Sequence, residues 1–202
     1  MKNFDDQYRK QKGNNLVGCD EVGRGCIAGP VVACCIMLKE DFNSNLIKDS
    51  KQIPKSKHKE ISDLIKQNAL EYHIKVGDID LIDKINILNA TKTIMKEAIE
   101  SFQTKIDIIL VDHIKLDIDK EHQSITKGDQ KSLSIAAASI IAKYYRDQLM
   151  SDYAKKYSQY NFQTNAGYLT KKHKEALLEY GYSPIHRKTF EPIKTMIKEK
   201  EK

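Results

Sequence analysis

The sequence has no tryptophan, few cysteines and no long uninterrupted apolar segment. Its four cysteines lie close together, at Cys19, Cys26, Cys34 and Cys35. Disulfide frameworks distribute their cysteines along the chain, so we expect these to be buried thiols in a reducing cytoplasm. The longest apolar run, 27–38, is interrupted by Gly29 and Pro30 and is shorter than the ~18–20 apolar residues of a membrane-spanning helix. The polar N-terminus does not resemble a secretory signal.

Arginine is also scarce. The chain has 34 lysine and arginine residues against 28 acidic ones, a net charge of +6, but it contains only four arginines, at Arg9, Arg24, Arg146 and Arg187. Arginine differs from lysine in its planar, bidentate hydrogen-bonding group, so the few arginines indicate positions where that geometry matters. The positive charge fits a polyanionic partner, although a solvated lysine-rich surface is the simpler explanation for most of the lysines.

The most informative segment is GCDEVGRGCIAGP, residues 18–30. Its adjacent carboxylates, Asp20 and Glu21, follow an apolar run and suit a divalent cation. The turn formed by Gly23, Arg24 and Gly25 suits a phosphate, because glycine allows backbone N–H groups to approach while arginine presents its forked donors. The segment therefore favours a metal-dependent enzyme that acts on a phosphodiester; the alternative is a strand that ends in a polar turn.

The remaining pattern predicts a single α/β domain with a helical C-terminal part. We predict a mixed central sheet flanked by helices, with a helical C-terminal subregion. The predicted strands are Leu16–Asp20, Pro30–Leu38, Tyr72–Val76 and Ile106–Val111. The predicted helices cover 55–69, 80–102, 130–157 and 170–180. Ser132 or Ser134 is suited to cap the third of these helices.

Four acids are candidate metal ligands: Asp20, Glu21, Asp112 and Asp129. Asp20 and Asp112 each end a predicted strand, so their carboxylates converge if the two strands are neighbours. A cation, Mg²⁺ or Mn²⁺, then relieves their repulsion. Glu21 is less simple, because consecutive strand residues point to opposite faces. Asp129 precedes a predicted helix, where aspartate is commonly an N-cap.

The segment 18–30 resembles the opening motif of the ribonuclease HII family, the type 2 ribonucleases H. Further blocks of the chain resemble that family in the same order: DSKQI at 49–53, KINILNAT at 84–91, LVD at 110–112, KGDQKSLSIAAASIIAKYYRD at 127–147, NAGYLT at 165–170 and HRKTFEPIK at 186–194. The resemblance covers nearly the whole chain and implies a ribonuclease H type 2 domain over 14–194, preceded by a polar segment, 1–13, and followed by a charged tail, 195–202. It implies a ribonuclease H-like fold and hydrolysis of the RNA strand of RNA–DNA hybrids by two divalent cations.

The resemblance also implies roles for individual residues. All four candidate acids become catalytic metal ligands, with Asp20 as the bridging one, and the Gly23–Gly25 turn holds the ribonucleotide. Tyr168 is expected to pack on the following deoxyribose, so that the enzyme also cuts 5′ of single ribonucleotides in duplex DNA. The alternative for Tyr168 is packing against the last predicted helix. Lys51 is a candidate phosphate contact or a solvated lysine.

Several other residues are open to two interpretations. Arg146 and Arg187 contact phosphates or pair with nearby acids, Asp147 being the obvious partner of Arg146. His113, directly after Asp112, departs from the family pattern and could crowd or tune the metal site. The remaining histidines outside the motif blocks are expected at the surface; they are His58, His73, His122 and His173.

Two other functions compete with this prediction. Ribonuclease HIII shares the acidic opening, but its usual N-terminal recognition domain is not expected, because Asp20 lies too near the start of the sequence. A catalytically silent nucleic-acid-binding protein is the second alternative, which the presence of all four acids disfavours. We expect a cytoplasmic monomer that contacts RNA–DNA hybrids and ribonucleotide-containing duplex DNA and has no membrane partner.

Overall fold

The computed structural model describes residues 1–47 and 53–201. Within these ranges the chain forms a mixed five-stranded sheet in the order β3-β2-β1-β4-β5. The strands are β1 (Leu16–Val22), β2 (Val31–Leu38), β3 (Ala69–Gly77), β4 (Ile108–Asp112) and β5 (His122–Ile125). β1 pairs antiparallel with β2 and parallel with β4. The mixed central sheet is therefore confirmed, and the short edge strand β5 was missed by the sequence prediction.

Helices cover both faces of this sheet. They are α1 (Lys2–Lys12), α2 (Lys55–Gln67), α3 (Ile79–Glu100), α4 (Gly128–Lys131), α5 (Leu133–Lys156), α6 (Phe162–Asn165), α7 (Lys171–Tyr180) and α8 (Ile193–Lys200). α3 packs on one face, and α2 and α5 pack on the other. No helix in the described ranges is both long and apolar enough to span a bilayer.

The continuous apolar run of β2 and the small residues of α5 explain how these layers form. All eight residues of β2 are buried, as expected for a strand covered by helices on both faces. α5 lies so close to β1 that a Cβ atom on Gly18 would sit 2.3 Å from the carbonyl carbon of Ser134. The Ser132 side chain accepts a hydrogen bond from the Ile135 N–H, so the helix cap is Ser132.

The helix predicted over 80–102 contains a break. α3 begins at Ile79, and Asn86 within it has φ 66° and ψ 164°, a conformation outside the helical region. The Asn86 side chain accepts a hydrogen bond from the Asn89 N–H at 3.0 Å and so caps the second half of the helix. A sequence pattern of helical periodicity cannot reveal this change of direction, because both halves keep their own apolar faces.

The polar segment 1–13 contains α1, which the sequence prediction did not include. The buried Asp5 side chain accepts hydrogen bonds from the backbone N–H and the hydroxyl of Ser134, at 2.9 and 2.8 Å. These bonds attach α1 to the first turn of α5. At the other end of the chain, α8 covers most of the charged tail and packs Ile193 into the C-terminal subregion.

Candidate active site

Asp20 and Asp112 lie side by side at the carboxyl ends of two neighbouring strands. β1 and β4 are parallel and pair Cys19 with Val111, so the next residue on each strand is one of the two aspartates. Residues paired across strands project on the same face of a sheet. The convergence of these two side chains, predicted if the strands were neighbours, therefore follows from the observed register.

Glu21 projects on the opposite face from Asp20, because β1 continues through it to Val22. Its antiparallel partner, Ala33, belongs to the core under α3, whereas Asp20 pairs with Cys34 on the α5 side. Both carboxylates nevertheless line one cleft, since they lie close to the end of the strand. The side chains of β1 therefore do alternate at Asp20 and Glu21, as expected of consecutive strand residues. This alternation places the two carboxylates on different walls of the cleft.

Asp129 reaches the same cleft from α4. The Asp112 side chain accepts a hydrogen bond of 2.7 Å from the backbone N–H of Gly128, which ties the start of α4 to the end of β4. The N-cap position of α4 is Lys127, and that of α5 is Ser132. The interpretation of Asp129 as an N-cap is therefore wrong.

The shared cleft has a volume of about 750 Å³. Its lining consists of Asp20, Glu21, Val22, Gly23, Arg24, Gly25, Ile87, Asp112, Asp129, Ser139, Lys143, Arg146, Ala166 and Tyr168. All four predicted acids, the three residues of the predicted turn and the predicted tyrosine are in this set. Lys51 lies outside the described residues.

Burial and mutual repulsion make Asp20 and Glu21 difficult to ionise. Asp20 is 5% exposed, and its burial raises its pKa well above the ordinary value, with further increases from the charges of Glu21 and Asp112. Hydrogen bonds from Ser139 and from the Glu21 N–H act in the opposite direction. Burial also raises the pKa of Glu21, although Arg24 opposes the increase. The cleft therefore favours a compensating cation.

The donor chemistry of the cleft fits a divalent cation. Its acidic groups offer oxygen atoms, and Oε2 of Glu21 is buried without a hydrogen-bond partner among the described residues, while Oε1 accepts from Arg24 at 3.1 Å. Within 1–47 and 53–201, no group of three or more His, Cys, Asp or Glu side chains is arranged to hold a metal ion by itself. Carboxylate oxygens are the ligands that Mg²⁺ accepts in proteins, where it is commonly bound by one or two carboxylates together with waters and substrate phosphates.

The turn at Gly23–Gly25 is held from beneath by Arg187. This buried side chain donates from Nη2 to the Gly23 carbonyl at 2.6 Å and from Nη1 to the Arg24 carbonyl at 2.9 Å. The C=O and N–H of one peptide unit point in opposite directions. The N–H groups of Arg24 and Gly25 therefore face away from Arg187.

Arg146 supports the other side of this turn. Its side chain donates from Nε to the Pro30 carbonyl at 2.8 Å, and a Cβ atom on Gly23 would lie 2.3 Å from the same nitrogen. Gly23 has φ +97°, so both its conformation and its surroundings require glycine.

The interpretation that the two arginines pair with nearby acids is wrong for the described part of the chain. Arg146 and Arg187 are buried and donate to backbone carbonyls, while contact of either one with a phosphate stays a prediction. Asp147 instead pairs with Lys143 at 2.9 Å. The scarcity of arginine did indicate a special geometric role, but that role is to position the backbone.

Tyr168 borders the cleft beside the turn. Its side chain is 49% exposed, and its Cε1 atom lies 3.8 Å from the position that a Cβ on Gly25 would occupy. The half-exposed ring is therefore available at the edge of the cleft, which argues against the alternative that it simply packs against the last predicted helix, the present α7. Burial, followed by the neighbouring Cys26, raises the pKa of its hydroxyl.

The histidines behave differently from the prediction. His58 and His173 are buried, so the expectation of a surface position is wrong for both, and His73 and His122 are partly buried. His173 lies 3.0 Å from the buried His186, Nε2 to Nε2. Their polar sequence surroundings hid this pair, because only the packing of α7 against the segment after it brings them together.

His113 is exposed, with φ 50°, and does not line the cleft.

Two polar residues of the cleft are absent from the predicted site residues. Ser139 and Lys143 line it from α5, one turn apart, beside the carboxylates. A single serine within the apolar run AAASIIA was the available signal, because a hydroxyl facing a sheet needs a partner there.

A mixed sheet with helices on both faces and carboxylates at adjacent strand ends defines the ribonuclease H-like class. The sequence matches the family of ribonuclease HII over residues 17–193, and the chain belongs to this family. It is accordingly a metal-dependent ribonuclease that hydrolyses the RNA strand of RNA–DNA hybrids.

Solved structures share the fold. The ribonuclease H2 of Pyrococcus horikoshii OT3 is 25% identical and superposes with a TM-score of 0.82, over 93% of this chain and 99% of that one. The ribonuclease HII of Archaeoglobus fulgidus, solved in complex with PCNA, is 22% identical with a TM-score of 0.72, over 85% and 91% of the two chains. Bst-RNase HIII in complex with Mn²⁺ is 18% identical with a TM-score of 0.71, over 91% and 69%.

Proposed function

We propose that this ribonuclease cuts on the 5′ side of single ribonucleotides embedded in duplex DNA, in addition to cutting RNA–DNA hybrids, and that it contributes to ribonucleotide removal during DNA replication and repair. The observation that carries the proposal is one cleft in which four carboxylates lie beside the Gly23–Gly25 turn and Tyr168. We also propose that it acts in the cytoplasm as a monomer, over a catalytic domain spanning 14–194.

The four carboxylates are proposed to hold two divalent cations, Mg²⁺ or Mn²⁺. Asp20 is the proposed bridging ligand, because it is the most buried of the four and lies between Glu21 and Asp112 on the strand ends. Glu21, Asp112 and Asp129 complete the two shells. The chemistry that such a pair of cations supplies when bound is activation of a water molecule and stabilisation of the leaving 3′ oxygen. The expected products carry a 3′-hydroxyl and a 5′-phosphate.

The turn at Gly23–Gly25 is proposed to recognise the ribonucleotide. Arg187 binds the carbonyls of Gly23 and Arg24, which leaves the next N–H groups directed away from it. These donors can bind the 2′-hydroxyl, the chemical group that separates RNA from DNA at a single position, whatever the base. Arg24 itself pairs with Glu21, so its charge remains at the edge of the metal site.

Tyr168 is proposed to select the sugar that follows the ribonucleotide. Its half-exposed ring offers a surface for a deoxyribose, and a hydroxyl on that sugar would crowd the ring. Together with the turn, the ring would require RNA on one side of a junction and DNA on the other. Lys51 remains a proposed phosphate contact on the basis of its sequence motif.

The direct experiment compares three substrates: duplex DNA with one ribonucleotide, all-DNA duplex, and a long RNA–DNA hybrid. We expect Mg²⁺-dependent cleavage 5′ of the single ribonucleotide, no cleavage of all-DNA duplex, and preferential cutting of the hybrid near its RNA–DNA junction. Tyr168→Ala should reduce the ratio of junction to internal cleavage by about 5- to 150-fold, corresponding to a stacking contact of about 1–3 kcal/mol. Tyr168→Phe should resemble the parent.

Three results would contradict this proposal. Equal cleavage of the all-DNA duplex would mean that the turn does not read a 2′-hydroxyl. Identical junction ratios in the alanine variant and the parent would mean that Tyr168 does not select the sugar. Binding of the substrates without cleavage in either metal would instead favour a silent nucleic-acid-binding protein.

A further inference from the structure

The loop that carries Tyr168 is held through three successive carbonyl groups. The Ala166 carbonyl accepts from Arg146 of α5 at 2.9 Å, and the Gly167 carbonyl accepts from the Ile27 N–H at 2.9 Å. The Tyr168 carbonyl accepts from Nδ1 of His173 at 2.8 Å and from the Thr170 N–H at 2.9 Å. Among these three carbonyl groups, that of Tyr168 is bound by a side chain of α7, which is His173.

The protonation of His173 follows from its contacts. The Ser183 N–H lies 2.9 Å from Nδ1 of His186 and must donate to it, so this nitrogen carries no proton. A neutral His186 is then protonated on Nε2, which lies 3.0 Å from Nε2 of His173 and donates to it. His173 therefore carries its proton on Nδ1, the atom that faces the Tyr168 carbonyl.

The surroundings keep both rings neutral, as this arrangement requires. Burial lowers the pKa of His186 to about 4, with a further decrease from His173, and burial also lowers the pKa of His173. The rings of Tyr160 and Phe162 pack against both histidines. The cations next to the two histidines along the chain are Arg187, which donates to backbone carbonyls, and the exposed Lys172 and Lys174.

One short segment thus supports both elements proposed to read the substrate. His186 determines the proton position of His173 and hence the hydrogen bond to Tyr168, while the next residue, Arg187, binds the carbonyls of Gly23 and Arg24. We propose that His173 and His186 are positioning residues that set the placement of Tyr168 relative to the Gly23–Gly25 turn, and so determine selectivity for an RNA–DNA junction. This inference rests on the proposed function of Tyr168.

The test measures the ratio of junction to internal cleavage in the full chain, with melting temperatures recorded alongside. His173→Gln and His186→Ala should each lower this ratio by roughly threefold to tenfold, as expected when one net hydrogen bond is lost. His173→Asn should lower the ratio less than His173→Gln does, because the amide nitrogen of asparagine lies near the position that Nδ1 of His173 occupies. A matched control is His73→Gln on β3, which removes a histidine bonded to Glu71 at 2.9 Å and should leave the ratio unchanged.

A double variant separates positioning from general destabilisation. If His173 acts through Tyr168, His173→Gln should not lower the ratio further in a Tyr168→Ala background. Histidine ¹⁵N shifts supply an independent readout: we expect the Nε2–H form of His186 and the Nδ1–H form of His173 at neutral pH. The opposite tautomers would overturn the inference.

The outcomes distinguish this inference from the proposed function. An effect of Tyr168→Ala without any effect of His173→Gln and His186→Ala overturns the positioning role and leaves the function of Tyr168 intact. No effect of Tyr168→Ala overturns both. An equal loss of the ratio in His73→Gln, or an additive loss in the double variant, would mean that selectivity merely follows stability, and would also overturn the positioning role.

Discussion

At the scale of single residues, the cleft brings carboxylates together at a cost to the metal-free fold. Burial and the charges of Glu21 and Asp112 disfavour the ionised form of Asp20, as its raised pKa indicates. A cation bound to the folded state offsets this repulsion and stabilises the protein by mass action. When one of these charges is removed, activity should therefore fall, whereas the stability of the metal-free protein should stay the same or rise.

Replacement of Asp20 or Asp112 by asparagine tests whether these charges are needed for activity while they destabilise the metal-free protein. We expect activity in Mg²⁺ to fall by at least ~10²-fold, which corresponds to about 3 kcal/mol of lost barrier lowering. The metal-free melting temperature should stay the same or rise, because asparagine carries no charge to repel its neighbours, and the stabilisation by added Mg²⁺ should shrink. Steady-state kinetics and thermal melting with and without Mg²⁺ provide the measurements.

The exposed Asp152 supplies the control for those variants, since it pairs with Lys155 on the surface of α5, away from the cleft lining. Asp152→Asn should retain parental activity and the parental response to Mg²⁺. If Asp20→Asn or Asp112→Asn retained near-normal turnover, the assignment of that residue to the proposed metal site would be wrong.

Arg187 illustrates the difference between arginine and lysine at a buried position. Its guanidinium makes four hydrogen bonds to the carbonyls of Gly23, Arg24 and Gly29, and burial lowers its pKa to about 10, so it stays charged at neutral pH. Lysine cannot reproduce this planar arrangement. We expect Arg187→Lys to destabilise the protein by at least about 2 kcal/mol in chemical denaturation, and to raise KM more than it lowers kcat.

Arg9→Lys is the matched substitution, because Arg9 is also buried but pairs with Asp6 through one ion pair, which lysine can retain. It should cost little stability and leave KM unchanged. An Arg187→Lys variant with parental stability and KM would show that the turn does not depend on this side chain.

At the scale of secondary-structure elements, Glu71 joins β3 to the loop that follows α3. Although partial burial acts to raise its pKa, hydrogen bonds from His73 and from the N–H groups of Gln103 and Thr104 lower it from 4.5 to about 2. Because the folded pKa lies below the ordinary value, the carboxylate stabilises the protein above pH 4.5. That contribution is lost as the pH falls from about 4.5 towards 2.

Glu71→Gln should therefore reduce the free energy of unfolding by about 1–2 kcal/mol at neutral pH, with nearby solvent weakening the effect. The difference between variant and parent should narrow steadily below pH 4.5. Urea denaturation at several pH values measures both quantities. A difference that is constant between pH 7 and pH 3 would contradict the role of the ionised carboxylate.

At the scale of the whole molecule, the site joins two parts of the fold. The sheet supplies Asp20, Glu21 and Asp112 at its strand ends, whereas the C-terminal subregion supplies Tyr168 and the arginine that holds the turn. That subregion has a hydrophobic core of its own, which includes Tyr160, Phe162 and Ile193. Catalysis and sugar selection should consequently be separable by mutation, as the Asp20 and Tyr168 variants are designed to show.

The net charge of +6 is also a property of the whole molecule. Lysines that neutralise phosphates release condensed counterions, so the logarithm of the binding constant for a ribonucleotide-containing duplex should fall linearly with the logarithm of salt concentration, by about 0.9 per phosphate contacted. Binding isotherms of the Asp20→Asn variant between low and physiological salt would measure the slope without cleavage. A flat dependence would mean that the basic surface is only solvated.

The part of the site that could be predicted from sequence is the part that depends on local pattern. Apolar runs predicted β1, β2 and β4, and the position of Asp20 and Asp112 at strand ends predicted their convergence once the strands proved to be neighbours. Asn86, in contrast, interrupts α3 at a place where the periodicity continues on both sides. Local pattern carries no information on such a change of direction.

The sequence by itself determined the fold class, the family and the candidate acids, because these follow from short motifs and from the period of apolar residues. Only the tertiary structure decided what Arg146, Arg187 and His173 do. Their partners are backbone carbonyls or a second histidine brought close by folding; Arg187 and Gly23, for example, are separated by 164 positions. A carbonyl group is present at every residue, so no side-chain pattern identifies which one a buried donor will find.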